Sequence, residues 1–160
     1  MNHEINFSLN GEPRSVAVEG NLTLIDLLRE RLGVTSAKKS CERGDCGACT
    51  VLVDGKAVNS CLILAVSVDG KRVETIESLG RNELTPLQKH FYEMAASQCG
   101  YCTPGMILAA TALLNENPDP TRQEVKEGLS GNLCRCTGYV KPVEATLAAA
   151  REMRAAVKNR

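Results

Sequence analysis

The sequence predicts an α+β fold, with a β-rich first part in residues 1–79 and a helical second part in residues 80–160. Three observations support this prediction. Apolar and polar residues alternate near the N-terminus, as they do in half-buried strands. Apolar residues in the second half recur at spacings of three and four, as they do in amphipathic helices. The segment SLGRNEL, residues 78–84, has neither period and marks the expected boundary.

The first part contains two predicted hairpins with a helix between them. Residues 5–9 alternate between apolar and polar side chains, and NGEP then turns the chain into a second strand. Thr23 followed by Asp26 resembles a capping box, which predicts the start of a helix. The segment CTVLVDGKAV predicts the second hairpin, with its turn at Asp54–Gly55. A last strand in KRVETIE completes a small β-grasp sheet with a helix across it.

The second part consists of predicted helices. Thr85–Pro86 is typical of a helix start, with threonine as the cap and proline as the first helical residue. Thr103–Pro104 repeats that pattern, and the following GMILAATALL is apolar nearly all round, which predicts a buried helix. Thr121 and Glu124 predict a capping box for a short helix. A final amphipathic helix begins near Val140.

Composition narrows the class of protein. The chain has 160 residues, with 19 basic and 19 acidic side chains and no formal net charge. This balance argues against a nucleic-acid-binding protein and against a polybasic membrane surface. No signal peptide or membrane span is visible, so we expect a cytoplasmic protein. In a reducing compartment, its eight cysteines indicate metal binding and not disulfides.

The first set of four cysteines is typical of an iron–sulfur loop. CERGDCGACT has the C-x4-C-x2-C spacing of plant-type 2Fe–2S proteins. Gly44 and Gly47 allow the tight curvature that points backbone N–H groups inward at anionic sulfur. Zinc is the alternative, but zinc prefers two C-x2-C knuckles, which a three-cysteine loop does not provide. The predicted ligands are Cys41, Cys46, Cys49 and Cys61.

The second set has the spacing C-x2-C followed by C-x-C, which on its own fits either zinc or an iron–sulfur cluster. A disulfide between Cys134 and Cys136 would close a strained ring. Cys99 and Cys102 directly precede a predicted helix, whose N-terminus favours anionic sulfur. Two loop–helix junctions could therefore present four thiolates to one metal centre. The predicted ligands are Cys99, Cys102, Cys134 and Cys136.

Three segments together resemble the small iron–sulfur subunit of the molybdenum hydroxylases, the xanthine dehydrogenase and aldehyde oxidoreductase family. They are CERGDCGACTVLVDG, SQCGYCTPGM and SGNLCRCTGY. The resemblance extends from about Ile5 to Val157 and includes all eight cysteines. It implies a plant-ferredoxin-like β-grasp domain with one 2Fe–2S cluster and a four-helix bundle with a second.

The resemblance also implies a role in electron transfer. A large subunit would hold molybdopterin and hydroxylate the substrate, and electrons would pass through both clusters to FAD in a medium subunit. The assembly would be a heterotrimer or a dimer of heterotrimers. By this resemblance Cys136 is the ligand nearest the pterin, Gln98 contacts the molybdopterin, and Gly44 and Gly47 face the flavin side. No flavin or molybdenum domain follows, so we expect a separate subunit without substrate turnover of its own.

Two other functions are compatible with the residues. A free-standing 2Fe–2S electron carrier is one, although a diffusible ferredoxin needs only the first four cysteines. A zinc-dependent interaction module is the other, and iron with acid-labile sulfide would exclude it.

Overall fold

The computed structural model describes residues 2–136 and 138–158. The strands are β1 (Asn2–Leu9), β2 (Glu12–Glu19), β3 (Thr50–Val53), β4 (Lys56–Asn59) and β5 (Arg72–Glu74). Helix α1 (Leu24–Asp26) continues as a π-helical turn over Leu27–Arg31, and single 3₁₀ turns lie at Ala65–Val68 and Ile76–Ser78. The later helices are α2 (Pro86–Glu93), α3 (Thr103–Glu116), α4 (Arg122–Gly128) and α5 (Val140–Lys158).

The strands form one mixed sheet in the order β2-β1-β5-β3-β4. β1 and β5 are parallel, and the other neighbouring strands are antiparallel. The predicted hairpin turn at Asp54–Gly55 is confirmed, with φ values of 50° and 81°. Asn10–Gly11 turns in the same way, with φ values of 53° and 84°. Positive φ at both turn residues suits the twist of a two-residue hairpin.

Two hydrophobic cores follow from the two sequence periods. In the first core, the alternating residues of β1 pack against the leucine-rich face of α1 and its continuation, namely Ile5, Phe7, Leu9, Leu24, Leu27 and Leu28. α3 is buried nearly all round, as predicted. In the second core it packs against α2, α4 and α5, and Leu108 and Ala112 on another side form a small third cluster with Leu52 of β3. Ile76 and Leu79 also pack against the second core. That core therefore begins a few residues before position 80.

The helix starts show which of the N-caps predicted from the sequence are correct. The threonine caps at Thr85 and Thr121 are confirmed as capping boxes. The predicted cap at Thr103 is wrong, because the cap is Cys102 and Thr103 is already helical. The Cys102 carbonyl accepts the Met106 N–H at 3.0 Å, so helical bonding begins one residue earlier than expected. Within the described residues, none of the helices has the length and hydrophobicity needed to cross a bilayer.

Thr121→Ala is expected to lower the free energy of unfolding by about 1 kcal/mol. The Thr121 hydroxyl accepts the Glu124 N–H at 3.2 Å and donates to the Glu124 carboxylate at 2.8 Å, and alanine removes both bonds. Denaturant titration of the cluster-loaded protein measures the loss. Thr121→Ser keeps the hydroxyl and is the matched control, so equal stabilities of the two variants would contradict this account of the cap.

Candidate metal centres

The first set of cysteines is assembled by a loop and a hairpin. Cys41, Cys46 and Cys49 lie on the loop that leads into β3. The antiparallel pairing of β3 with β4 then returns the chain to this loop. Ser60 holds the end of this hairpin against the loop, since its backbone N–H and its hydroxyl both donate to the Cys49 carbonyl, at 3.4 and 2.7 Å. Cys61, twelve positions beyond Cys49, is therefore brought back to the loop that holds the other three cysteines.

The sulfur atoms of this set interact in two pairs. Cys41 interacts with Cys46, and the backbone N–H of Arg43, 3.5 Å from the Cys41 sulfur, is the main reason that the Cys41 pKa falls to about 6. Cys61 is paired with Cys49, and burial together with that neighbour raises the pKa of Cys61 to about 11. Backbone donors thus favour the thiolate of Cys41 and lower its pKa, whereas burial disfavours the thiolate of Cys61 and raises its pKa.

The second set shows the same pairing. The Cys136 sulfur lies 3.6 Å from the Cys99 sulfur. Cys102 is paired with Cys134, and burial followed by the neighbouring Cys134 raises the pKa of Cys102 to about 12. The Cys136 N–H donates to the Cys134 sulfur at 3.4 Å, which holds the C-x-C turn together. Cys102 caps α3, so this pair also lies at a helix N-terminus.

Pairs of thiols suit a two-iron cluster better than a single ion. A 2Fe–2S cluster is held by four cysteines, two on each iron, whereas structural zinc gathers four ligands around one centre. None of the eight cysteines, all of which lie in the described part of the chain, forms a disulfide. The side chains present therefore fit one 2Fe–2S cluster in each set.

The glycines of the first loop have the predicted curvature. Gly44 and Gly47 have φ values of 84° and 66°, in the left-handed region that favours glycine. They face different neighbours. A Cβ atom on Gly44 would come within 2.4 Å of a methyl group of Leu62, and one on Gly47 within 2.3 Å of the Gly131 carbonyl oxygen. Gly47 is thus buried against the second cysteine set.

This junction between the two sets was not predicted from the sequence. The Leu133 N–H donates to the Cys46 carbonyl at 2.9 Å. The Asn132 amide nitrogen donates to the Gly47 carbonyl, also at 2.9 Å. Asn132 lies two residues before Cys134, close to the C-x-C segment of the second set, but its partner lies 85 positions away along the chain. No local pattern identifies a partner at that separation.

Tyr139 is a second residue of the site that sequence reasoning missed. Its hydroxyl accepts the Cys134 N–H at 3.1 Å and donates to the Cys134 carbonyl at 3.3 Å. One phenol therefore satisfies both backbone groups of a predicted metal ligand. Gln98, Cys99 and Cys136 are exposed, so the outer side of the second set is open to a partner.

Comparison with known proteins identifies the class and the family. Residues 7–87 match the model of a 2Fe-2S iron-sulfur cluster binding domain, and residues 75–147 match a 2Fe-2S binding domain. The fold and the paired cysteines thus define an iron–sulfur protein with two 2Fe–2S-binding domains. The chain belongs to the family of small iron–sulfur subunits of the molybdenum hydroxylases, the xanthine dehydrogenase and aldehyde oxidoreductase family.

Three similar proteins illustrate the match. The nicotinate dehydrogenase small FeS subunit of Eubacterium barkeri is 53% identical over 138 residues, covering 86% of this chain and 88% of the relative. The solved quinoline 2-oxidoreductase from Pseudomonas putida 86 superposes with a TM-score of 0.91 at 46% identity, covering 96% of this chain and 97% of that one. The aldehyde oxidoreductase from Desulfovibrio gigas superposes with a TM-score of 0.92 at 39% identity, covering 96% of this chain but 17% of that one.

Proposed function

We propose that this chain is the electron-transfer subunit of a multisubunit molybdenum hydroxylase. Electrons pass from a molybdopterin centre in a large subunit, through two 2Fe–2S clusters in this chain, to FAD in a medium subunit or to another acceptor. The observation that carries the proposal is the direct junction of two paired cysteine sets within one chain. The complex is a cytoplasmic heterotrimer or a dimer of heterotrimers. The substrate is chosen by the large subunit.

Each cluster belongs to one domain in this proposal. Residues 1–79 are a plant-ferredoxin-like β-grasp domain, supported by the central parallel pair of β1 and β5 and by α1 crossing between β2 and β3. Residues 80–160 are a four-helix bundle, supported by the packing of α2 to α5 around a common core. The first domain holds its cluster by Cys41, Cys46, Cys49 and Cys61. The second holds its cluster by Cys99, Cys102, Cys134 and Cys136.

The exposure of the two sites supports a direction for electron flow. Gln98 and Cys136 are exposed, and we assign this side to the molybdopterin, with Gln98 as a contact and Cys136 as the nearest ligand. Leu62, 60% exposed, covers Gly44 and offers an apolar surface to a flavin subunit. Gly47 is buried against the helical half. The proposed flavin-facing surface is therefore restricted to Gly44 and its neighbours.

Analysis of the purified native complex is expected to give about four irons and four labile sulfides per copy of this chain, from two 2Fe–2S clusters. The reduced complex should show two distinguishable EPR signals. Affinity purification of the tagged chain from its host should recover a molybdopterin-containing large subunit and an FAD subunit.

Three outcomes would contradict the proposal, each in a different way. Recovery of the chain alone under gentle conditions would favour a free-standing electron carrier. One metal ion for each cysteine set, without labile sulfide, would favour a zinc or mononuclear iron protein. A single EPR signal with about two irons per chain would mean that one of the two sets holds no cluster.

A further inference from the structure

We propose that Asn132 raises the reduction potential of the first cluster by acting through the Gly47 carbonyl, so that the helical half tunes the cluster held by the β half. This inference rests on the proposed function, since it requires a cluster in the first cysteine set. Asn132 is a positioning residue in this proposal and contacts no iron.

The side chain of Asn132 is fixed in one orientation. The residue is 4% exposed. Its amide nitrogen donates to the Gly47 carbonyl at 2.9 Å and to the Thr50 hydroxyl at 3.2 Å. A flipped amide would place its oxygen against the Gly47 carbonyl oxygen, with no hydrogen between two acceptors. Asn132 therefore faces the loop of the first cluster as a donor.

The Gly47 carbonyl receives an unusual concentration of donors. Besides Asn132, the Thr50 backbone N–H donates to it at 3.1 Å and the Thr50 hydroxyl at 2.7 Å. One carbonyl oxygen, with two lone pairs, thus accepts three hydrogen bonds in a buried position. Hydrogen bonds in such a chain polarise one another, and the peptide group between Gly47 and Ala48 is polarised as a unit.

The Gly47–Ala48 peptide lies within the loop of the first cluster, between Cys46 and Cys49. In a trans peptide the N–H points opposite to the C=O, so the Ala48 N–H points away from Asn132. The preceding peptide is arranged in the same way, because the Cys46 carbonyl accepts the Leu133 N–H at 2.9 Å. Gly47, with a φ of 66°, joins these two peptides, whose N–H groups are those of Gly47 and Ala48 in the loop between Cys46 and Cys49.

Donors of this kind favour the reduced state of an iron–sulfur cluster. Reduction adds negative charge, and N–H groups directed at the sulfurs stabilise that charge and raise the potential. Withdrawing Asn132 weakens the polarisation of the Gly47–Ala48 peptide and lowers the potential. The second cluster has no part in this peptide, so its potential is expected to stay the same.

The Gly47 carbonyl and the Asn132 amide are packed too closely against α3 to move apart. A Cβ atom on Gly105, at the start of α3, would lie 2.4 Å from the Gly47 carbonyl oxygen and 3.1 Å from the Asn132 amide nitrogen. The absence of that atom is what allows α3, Asn132 and the first loop to meet. The carbonyl consequently stays in place when a single donor is removed.

The test is an EPR-monitored redox titration of the full chain loaded with both clusters. Asn132→Leu has a similar volume and no donor, and it should make reduction of the first cluster threefold to tenfold less favourable. Tenfold corresponds to about 59 mV for one electron. Thr50→Val removes a second donor from the same carbonyl and should shift the potential in the same direction, while Thr50→Ser restores it.

Asn117→Leu is the matched control. It removes a half-buried amide that donates to the Glu124 carboxylate at 3.3 Å. Asn117 follows the C-terminal end of α3, about 21 Å from the Cys102 end of that helix. It should leave both potentials unchanged. Unchanged potentials in Asn132→Leu, with a lower melting temperature, would show a merely structural role and overturn the inference.

If the Asn132→Leu variant does not take up its clusters, the comparison of Thr50→Val with Thr50→Ser tests the inference instead. Equal first-cluster potentials in Thr50→Val and Thr50→Ser would also overturn the inference. A wild-type chain that binds no first cluster would instead contradict the proposed function, so the two failures are distinguishable.

Discussion

Gly47→Ala is expected to lower the free energy of unfolding by about 3 kcal/mol or more, and to prevent normal loading of the first cluster. Two independent costs combine at this position. The φ of 66° is strained for alanine, and the new Cβ atom would lie 2.3 Å from the Gly131 carbonyl oxygen. Because that neighbour is backbone, the clash is relieved only by separating the two cysteine loops. Denaturant titration and iron analysis of the purified chain measure both effects.

Two further glycines provide controls for this prediction. Gly131→Ala places its Cβ atom in open space, with nothing within 4 Å, and should change stability little. Gly105→Ala tests the contact without the strained backbone, because Gly105 is helical and its new Cβ atom would lie 2.4 Å from the Gly47 carbonyl oxygen. A helix normally gains about 1 kcal/mol from this change. A stabilised Gly105→Ala variant would contradict the tight junction.

Cys134→Ala is expected to abolish the second cluster and to reduce the iron content from about four to about two per chain. The first cluster should remain, with its EPR signal intact, because its four predicted ligands lie elsewhere. The helical half should also lose cooperative unfolding, since its cluster links segments such as Cys99 and Cys136 that lie 37 residues apart. Thermal unfolding followed by circular dichroism measures this loss.

The reciprocal variant is the control. Cys49→Ala should remove the first cluster and leave the second, so the two variants should lose different EPR signals. Loss of both signals in either variant would mean that the two sites do not load independently. Retention of four irons in Cys134→Ala would mean that Cys134 is not a ligand.

Much of the site could be predicted from the sequence because it is encoded locally. The spacing of Cys41, Cys46 and Cys49 defines a loop type without reference to distant residues. Gly44 and Gly47 were predicted as points of tight curvature, and both have positive φ. The Asp54–Gly55 turn is local in the same sense, since two residues determine it. Such features depend on backbone conformations that only a few residue types adopt.

The helix starts mark the limit of this local reasoning. The cap at Thr121 is closed by Glu124, three residues away, and was predicted correctly. The similar pattern at Thr103 failed, because Cys102 already accepts the first helical hydrogen bond. A threonine followed by proline allows either position for the first helical residue. The surrounding structure decides between them.

Only the tertiary structure decided which thiols are paired and how the two sites meet. Nothing in the spacing pairs Cys99 with Cys136, or places Asn132 against Gly47 across 85 positions. The strand order is of the same kind, since β5 lies between β1 and β3 far from either in sequence. These contacts depend on the packing of two cores against each other, which sums many weak interactions over the whole chain. A local motif indicates which group a segment can bind, whereas the packing of the whole chain determines which other segments lie beside it.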